Sequence, residues 1–304
     1  MTGKLKIRQI AALTGLSPST VSRVLSGKSN VSPQAKEKVF THARSMGILR
    51  DIPASRLLMN SLLICAPPAA FSPYEDLYYY EVIQQITAEV AHFDIHIRKC
   101  ALEVNEPDIA VFMQALHQSD VDGIIIIGID DVMLYRLAAE SNKPVVMINA
   151  KDREMRLDCV SADHYSLGYS AANFLFLKGH RPVLLFTDLR RETMMQRLDG
   201  FKRACLEHHI LFDEATHLLI NHGNGKEQAR ESFEKYLHEH PRESLPSAII
   251  CGSTPLADAT LAALTAFGIQ VPQDISLISI DFEHELKTLT PMNLTSVLLP
   301  CREL

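Results

Sequence analysis

The chain has 304 residues, of which 47 % are hydrophobic, and it contains six cysteines and carries a formal net charge of −6. This length predicts two or three domains, and the apolar content excludes an intrinsically disordered chain. The longest apolar runs have strand length, which excludes a membrane-spanning helix, and no secretory signal is recognisable. The cysteines are scattered singly, which is typical of reduced, buried thiols. We therefore expect a cytoplasmic protein with no metal and no cofactor.

The charge is distributed unevenly along the chain. Residues 1–60 contain ten Lys or Arg and two acidic residues, a local charge of +8, whereas the remainder contains 20 Lys or Arg and 34 acidic residues, a charge of −14. A small basic module on a large acidic body favours polyanion binding at one end of the chain. A solvated charged face explains the same charge pattern equally well, so charge alone leaves both interpretations open.

The sequence of the basic module predicts three helices. Apolar residues recur at helical spacing from Ile7 to Thr14, and Gly15 ends that helix. A second helix begins at Ser17, a capping residue, followed by Pro18 at the position where a helix tolerates proline; Val21, Val24 and Leu25 form its buried face. A third helix starts at Ser32-Pro33 and runs through Val39 and Met46 to Gly47.

Two helices joined by a glycine-containing turn form a helix-turn-helix unit, whose second helix enters the DNA major groove with its N-terminus. A small helical bundle without DNA-binding function is the alternative interpretation. On the second helix, Arg23 can donate two hydrogen bonds to guanine, and Ser19 can make a shorter, less selective contact. Hydroxyl groups at the helix start suit phosphates. The base-reading candidates are Pro18, Ser19, Ser22 and Arg23, and the phosphate-binding candidates are Ser17 and Thr20.

The stretch from Leu5 to Lys38, LKIRQIAALTGLSPSTVSRVLSGKSNVSPQAKEK, closely resembles the N-terminal headpiece of the LacI/GalR family of bacterial repressors. The resemblance implies a dimer that binds a palindromic DNA operator, with Ser32 among the DNA-binding residues. It also implies a hinge segment at residues 48–60, in which Ala54 and Leu57 bind DNA and Leu57 is the wedge in the minor groove. Arg50 stands where the family usually has proline, and Pro53 lies inside the segment.

After residue 60, apolar strand-like runs alternate with helical patterns. Continuous runs such as Ile124–Ile127 indicate strands that are buried on both faces, and hence parallel sheets covered by helices. We predict an α/β fold with an N-terminal three-helix headpiece (1–47), the hinge (48–60) and a two-lobed regulatory domain (61–304). The first lobe comprises about 61–154 plus 292–304, and the second about 155–291.

The second half also resembles the LacI/GalR family, whose regulatory domain is built like periplasmic sugar-binding proteins. The motifs are Leu167–Ala172, Gly179–Arg181, Arg197–Phe201 and Val271–Ser276 with Asp281. The resemblance implies a cleft for a small-molecule effector, a sugar or a related metabolite, bound by Phe71, Tyr79, Asn149, Arg197, Ser253 and Asp281. An arginine fork, hydrogen-bond acceptors and a stacking ring together suit a polyol. Ser253-Thr254 replaces the family's Asn-Asp, which leaves the effector's identity open.

Relative to the family, the chain ends near Leu304, roughly where a further helix should start. We therefore expect a shortened C-terminus, which puts effector closure in question and leaves an unregulated DNA-binding protein as an alternative.

An enzyme, or a ligand-binding protein without DNA-binding function, would also be compatible with an α/β body. Gly223–Lys226 is similar to a phosphate-binding loop, but it lacks the first glycine and the Ser or Thr that such a loop requires. His208-His209 and His238–His240 have no further ligands spaced around them, which favours surface histidines over a metal site. We expect no enzymatic activity.

Overall fold

A computed structural model gives the structure of the chain. It describes residues 3–25, 31–46, 61–91, 95–104, 106–117, 121–223, 225–281 and 294–299. Within these ranges no helix is long and apolar enough to cross a membrane. No three His, Cys, Asp or Glu side chains of the same ranges gather in a way that could hold a metal ion. Four of the described cysteines are buried, as predicted, whereas Cys159 is exposed.

The headpiece contains three helices, α1 (Gly3–Thr14), α2 (Pro18–Leu25) and α3 (Pro33–Ser45). Their apolar faces meet in one small core, which buries Ile10, Ala11, Val21, Val24, Leu25, Val39 and Ala43. The predicted caps are confirmed, since Ser17 Oγ accepts a hydrogen bond from Thr20 N at 3.0 Å and Ser32 Oγ accepts one from Ala35 N at 3.3 Å. Gly15, at φ +70°, adopts the left-handed conformation that ends α1. The third helix ends slightly earlier than predicted, at Ser45.

The first lobe has one parallel sheet. Its strands are β1 (Ser61–Ala66), β2 (His96–Ala101), β3 (Gly123–Ile127), β4 (Val145–Ile148) and β5 (Asp158–Val160), in the spatial order β2-β1-β3-β4-β5. A 3-10 turn (Pro68–Phe71) and the helices α4 (Leu77–Val90), α5 (Ile109–His117) and α6 (Val132–Glu140) connect them. The central strands β1 and β3 are almost wholly buried, whereas the edge strands β2 and β5 are largely exposed.

The second lobe repeats this plan. Its strands are β6 (Val183–Thr187), β7 (Leu218–Ile220), β8 (Ala248–Cys251), β9 (Ser276–Asp281) and β10 (Thr295–Leu298), in the order β10-β9-β8-β6-β7. Its helices are α7 (His164–Leu177), α8 (Glu192–Glu207), α9 (Glu214–His217), α10 (Gly225–Glu239) and α11 (Thr254–Ala266), with a 3-10 turn at Arg242–Ser244. The predicted α/β class, with helices flanking two parallel sheets, is confirmed.

The predicted lobe boundaries need correction at two strands. β5 lies within the predicted second lobe, yet it pairs with β4 in the first sheet, where Met147 is in register with Cys159. β10 lies within residues 292–304, which were predicted to join the first lobe, yet it pairs with β9 in the second sheet, where Ser296 is in register with Ser279. Both are short edge strands, and the residues of such a strand do not specify which sheet edge it extends.

Helices α7 and α8 pack unusually closely. A Cβ atom on Gly168 of α7 would lie 2.0 Å from the carbonyl oxygen of Arg197, and one on Gly200 of α8 would lie 2.0 Å from that of Tyr165. Only glycine permits two helix backbones to approach in this way. This contact fixes His164, at the start of α7, relative to Arg197 on α8.

Candidate DNA-binding surface and effector cleft

Helix α2 presents one polar face to solvent. Its apolar side chains are buried in the headpiece core, and Thr20 is half-buried. The exposed residues of this helix and its cap are Ser17, Pro18, Ser19, Ser22 and Arg23. The structure thus brings the six predicted α2 candidates together on one short helix and its cap, with the hydroxyl groups of Ser17, Ser19 and Thr20 at the N-terminus and Arg23 in the last turn.

The hydroxyl groups at that N-terminus form a cluster. Ser17 Oγ lies 2.7 Å from Ser19 Oγ and 2.8 Å from Thr20 Oγ1. Hydroxyl groups at the positive end of a helix are suited to phosphate oxygens. Ser32 is also exposed, but it lies at the start of α3, where it caps that helix. Ala54 and Leu57 lie outside the described residues.

The residues predicted to line the effector cleft lie near the carboxyl ends of the strands, which is where doubly wound sheets bind their ligands. Asn149 follows β4, and its φ of +53° is a left-handed conformation that asparagine tolerates better than most residues. Arg197 lies on α8, and its Nη1 donates to the carbonyl oxygen of Gly252, directly after β8. Asn149 and Arg197 are both almost completely buried.

His164 connects these two residues across the cleft. Its Nδ1 accepts a hydrogen bond from Arg197 Nε at 3.1 Å, and its Nε2 lies 2.6 Å from Asn149 Oδ1. Because an arginine Nε can only donate, Nδ1 carries no proton and Nε2 is the donor to the Asn149 oxygen. Burial and the neighbouring charges of Arg197 and Arg191 lower the pKa of His164 to about 3, so the ring is neutral.

Tyr79 connects this hydrogen-bond network to an ion pair between Arg191 and Asp130. Asn149 Nδ2 donates to Tyr79 Oη at 2.8 Å, and Arg191 Nη1 donates to the same oxygen at 2.7 Å. Arg191 Nε donates to Asp130 Oδ2 at 2.8 Å. The Tyr135 hydroxyl donates to the carbonyl oxygen of Ile129 at 2.5 Å and lies 3.3 Å from Asp130 Oδ1, and burial raises its pKa, so it remains neutral. A continuous chain of hydrogen bonds thus runs from Arg197 to Asp130.

The structure joins three of the predicted effector residues, Tyr79, Asn149 and Arg197, through this chain. Phe71 is half-buried at the end of the 3-10 turn, with Lys99 Nζ lying 5.3 Å from its ring centroid. Ser253 is half-buried at the N-terminus of α11, where its side chain makes no capping hydrogen bond. The side chain of Asp281 lies outside the described part of the chain.

Sequence reasoning missed Asp130, His164 and Arg191. One signal could have identified two of them, because Asp130 closely follows β3 and Arg191 closely follows β6. Charged residues just beyond the carboxyl ends of buried parallel strands are expected to lie near the ligand site. His164 carries no comparable signal, since its role depends on the close packing of α7 against α8.

Comparison with known protein families matches two parts of the chain. Residues 6–48 match the model described as bacterial regulatory proteins, lacI family, and residues 172–304 match the periplasmic binding protein-like domain. The chain carries a LacI-family helix-turn-helix domain and a periplasmic binding protein-like domain. It is accordingly a DNA-binding transcription regulator of the class that small-molecule effectors control.

Two curated relatives span nearly the whole chain of this regulator. The HTH-type transcriptional regulator DegA of Bacillus subtilis is 27 % identical over 309 residues, which cover 99 % of this chain and 88 % of DegA. The HTH-type transcriptional regulator AglR of Rhizobium meliloti is 28 % identical over 306 residues, which cover 98 % of this chain and 83 % of AglR.

Two solved structures share the fold of this chain. The complex of the transcriptional regulator CelR with cellobiose has a TM-score of 0.70 at 20 % identity and covers 98 % of this chain and 88 % of that one. The lac repressor dimer bound to operator and the anti-inducer ONPF has a TM-score of 0.67 at 18 % identity, covering 97 % and 87 %.

Proposed function

We propose that this regulator binds a palindromic operator as a homodimer in the cytoplasm, with α2 reading bases in the major groove. One observation carries the assignment: the apolar side of α2 is buried in the headpiece core, so its polar side, from Ser17 to Arg23, faces outward. Arg23 is the base-reading residue, because a guanidinium can donate two hydrogen bonds to one guanine. The hydroxyl cluster of Ser17, Ser19 and Thr20 binds phosphate and sets the helix in register.

The hinge assignment remains part of the proposal. Ala54 and Leu57 bind the minor groove between the two half-sites, with Leu57 as the apolar wedge that bends the DNA. The headpiece ends at the hinge and the regulatory domain starts directly after it, so any change in lobe arrangement alters the spacing of the two headpieces. Repression is the regulatory outcome that we assign to this arrangement.

We further propose that the cleft binds a small-molecule effector, a sugar or a related metabolite. Arg197 and Asn149 offer polar groups from opposite lobes. Ser253 offers a hydroxyl that makes no capping hydrogen bond at the N-terminus of α11, and Phe71 and Tyr79 supply aromatic rings. Asp281 completes the proposed set. The structural neighbour CelR was solved with cellobiose, which supports a carbohydrate-sized ligand for a cleft of this architecture. LacI-family members are transcription regulators, and we propose no enzymatic activity for this one.

Two measurements test the proposal. A gel-shift assay of the full chain on its own upstream intergenic DNA should show a retarded dimer complex whose affinity falls steeply as salt rises. Binding that is indifferent to salt, or absent at the lowest salt, would contradict the DNA assignment.

A thermal-shift screen of sugars and sugar derivatives tests the cleft, because a ligand bound only by the folded chain raises the melting temperature. The active compound should lose its effect with Arg197→Lys and keep it with Arg203→Lys. Arg203 is the matched control, since it lies on the same helix and pairs with Glu207 on the surface. An equal shift in both variants would remove Arg197 from the effector site.

A further inference from the structure

The side chain of Arg191 crosses from one lobe to the other. Arg191 belongs to the second lobe, between β6 and α8, yet its three nitrogens donate to three acceptors of the first lobe. These are Asp130 Oδ2 at 2.8 Å, Tyr79 Oη at 2.7 Å and the carbonyl oxygen of Asn149 at 2.6 Å. The backbone N–H of Glu192 adds a fourth bond across the cleft, to Asp130 Oδ2 at 3.0 Å.

These four bonds form in a largely buried place. The side chains of Arg191 and Asp130 are 11 % and 18 % exposed, so neither charge is well solvated. Burial opposes the charge on Arg191, but the attraction of Tyr79 and Asp130 prevails and raises the pKa of the guanidinium. Arg191 therefore stays charged, and losing one partner would leave the other as an uncompensated buried charge.

A second connection supports the first. His164 belongs to the second lobe, and its bond to Asn149 also joins the lobes. By contrast, the neighbouring ion pair of Arg153 with Glu192, 2.6 Å long, is at the surface, where Arg153 is 72 % exposed. Surface pairs of this kind contribute little to stability, so the buried pair dominates this side of the cleft.

We propose that Arg191 is an intramolecular latch, which holds the two lobes together by occupying acceptors on the opposite wall of the cleft. The chain supplies both partners of every bond in the latch, so the latch forms without an effector. If the cleft is the effector site proposed above, an effector that enters between the lobes competes with these bonds. The apparent effector affinity then equals the intrinsic affinity multiplied by the fraction of molecules that are unlatched.

Hydrogen exchange of the full chain, followed by mass spectrometry resolved to single amides, tests the latch without any effector. The reporter is the backbone amide of Glu192, since its hydrogen-bond acceptor, the Asp130 carboxylate, lies on the other lobe. In the unmodified chain we expect this amide to exchange at least about 100-fold more slowly than an unprotected amide. Asp130→Ala and Arg191→Ala should each accelerate its exchange at least about tenfold.

Two further variants sharpen the result. Arg153→Ala removes the surface pair from the same Glu192 and should change the exchange rate less than about twofold. The double variant of Asp130 and Arg191 should exchange no faster than the faster single variant, because both changes break one interaction. An unprotected Glu192 amide in the unmodified chain would overturn the latch, regardless of whether the variants fold. That result would not bear on operator binding or on effector binding by the cleft, which the gel-shift and thermal-shift measurements test separately.

Discussion

The headpiece and the cleft place their functional side chains in opposite environments. On α2, the six candidates lie within seven consecutive residues, and five of them, from Ser17 to Arg23, are exposed. In the cleft, Tyr79 and Arg191 are 112 residues apart in sequence, and Asn149, His164 and Arg197 are almost completely buried. The headpiece can therefore lose function without losing stability, whereas a change in the cleft alters both.

The largest effect should follow from disturbing the packing that positions the cleft. Gly168→Ala places a methyl group 2.0 Å from the Arg197 carbonyl oxygen, so α7 and α8 must separate. We expect a loss of about 3 kcal/mol or more in the free energy of unfolding, measured by urea denaturation. Gly179→Ala is the control, since it has open space and only a left-handed φ of +88°, and it should cost about 1–2 kcal/mol. Equal losses in the two variants would show that the close helix contact does not form.

On the headpiece, Arg23→Ala should weaken operator binding by about 1–3 kcal/mol and relax the preference at one base pair, because a bidentate contact to guanine is lost. Its free energy of unfolding should stay within about 0.5 kcal/mol of the unmodified chain, since Arg23 is exposed. Lys38→Ala removes a positive charge at another exposed position of the headpiece. It should therefore weaken binding to operator and to random DNA about equally. If Arg23→Ala lowered both affinities by one factor, Arg23 would be a phosphate-binding residue.

His164 should make the stability of the cleft depend on pH. Its folded-state pKa of about 3 lies below the ordinary histidine value of about 6.5, so the unfolded chain binds a proton first as pH falls. The neutral form stabilises the fold fully above about pH 6.5, and this contribution is lost progressively as pH falls towards 3.

Between pH 7 and 5, the unmodified chain should lose about 2 kcal/mol more than His164→Gln, as measured by urea denaturation at each pH. Glutamine retains one hydrogen-bonding group and does not titrate in this range. Parallel pH profiles for the two chains would show that His164 is exposed or charged in the folded state.

The same difference between the two regions explains why the sequence predicted the headpiece more completely than the cleft. The headpiece helices are determined by residues a few positions apart in sequence. Ser17, for example, caps α2 by accepting a hydrogen bond from Thr20 N, and short-range sequence patterns reveal such interactions. Most strands were also predicted, because buried parallel strands form continuous apolar runs. The predicted lobes of β5 and β10 were wrong, since an edge strand can extend either sheet.

The cleft was predicted in part, and mainly through resemblance. Asn149, Tyr79 and Arg197 meet in one hydrogen-bond chain, but the residues that join them, His164 and Arg191, were absent from the prediction. Asp130 and Arg191 lie 61 residues apart, and their pairing depends on how two lobes face each other. No local pattern records such a contact, because it arises only when both sheets have formed.

The central claim, a dimeric helix-turn-helix regulator, is tested most directly by selecting bound sequences from random DNA with the full chain and footprinting the enriched site. We predict an inverted repeat, protected on both half-sites by a dimer, in which Arg23→Ala abolishes the preference at one symmetric pair of positions. Enrichment of a single asymmetric half-site bound by a monomer, or no enrichment over the input pool, would contradict it.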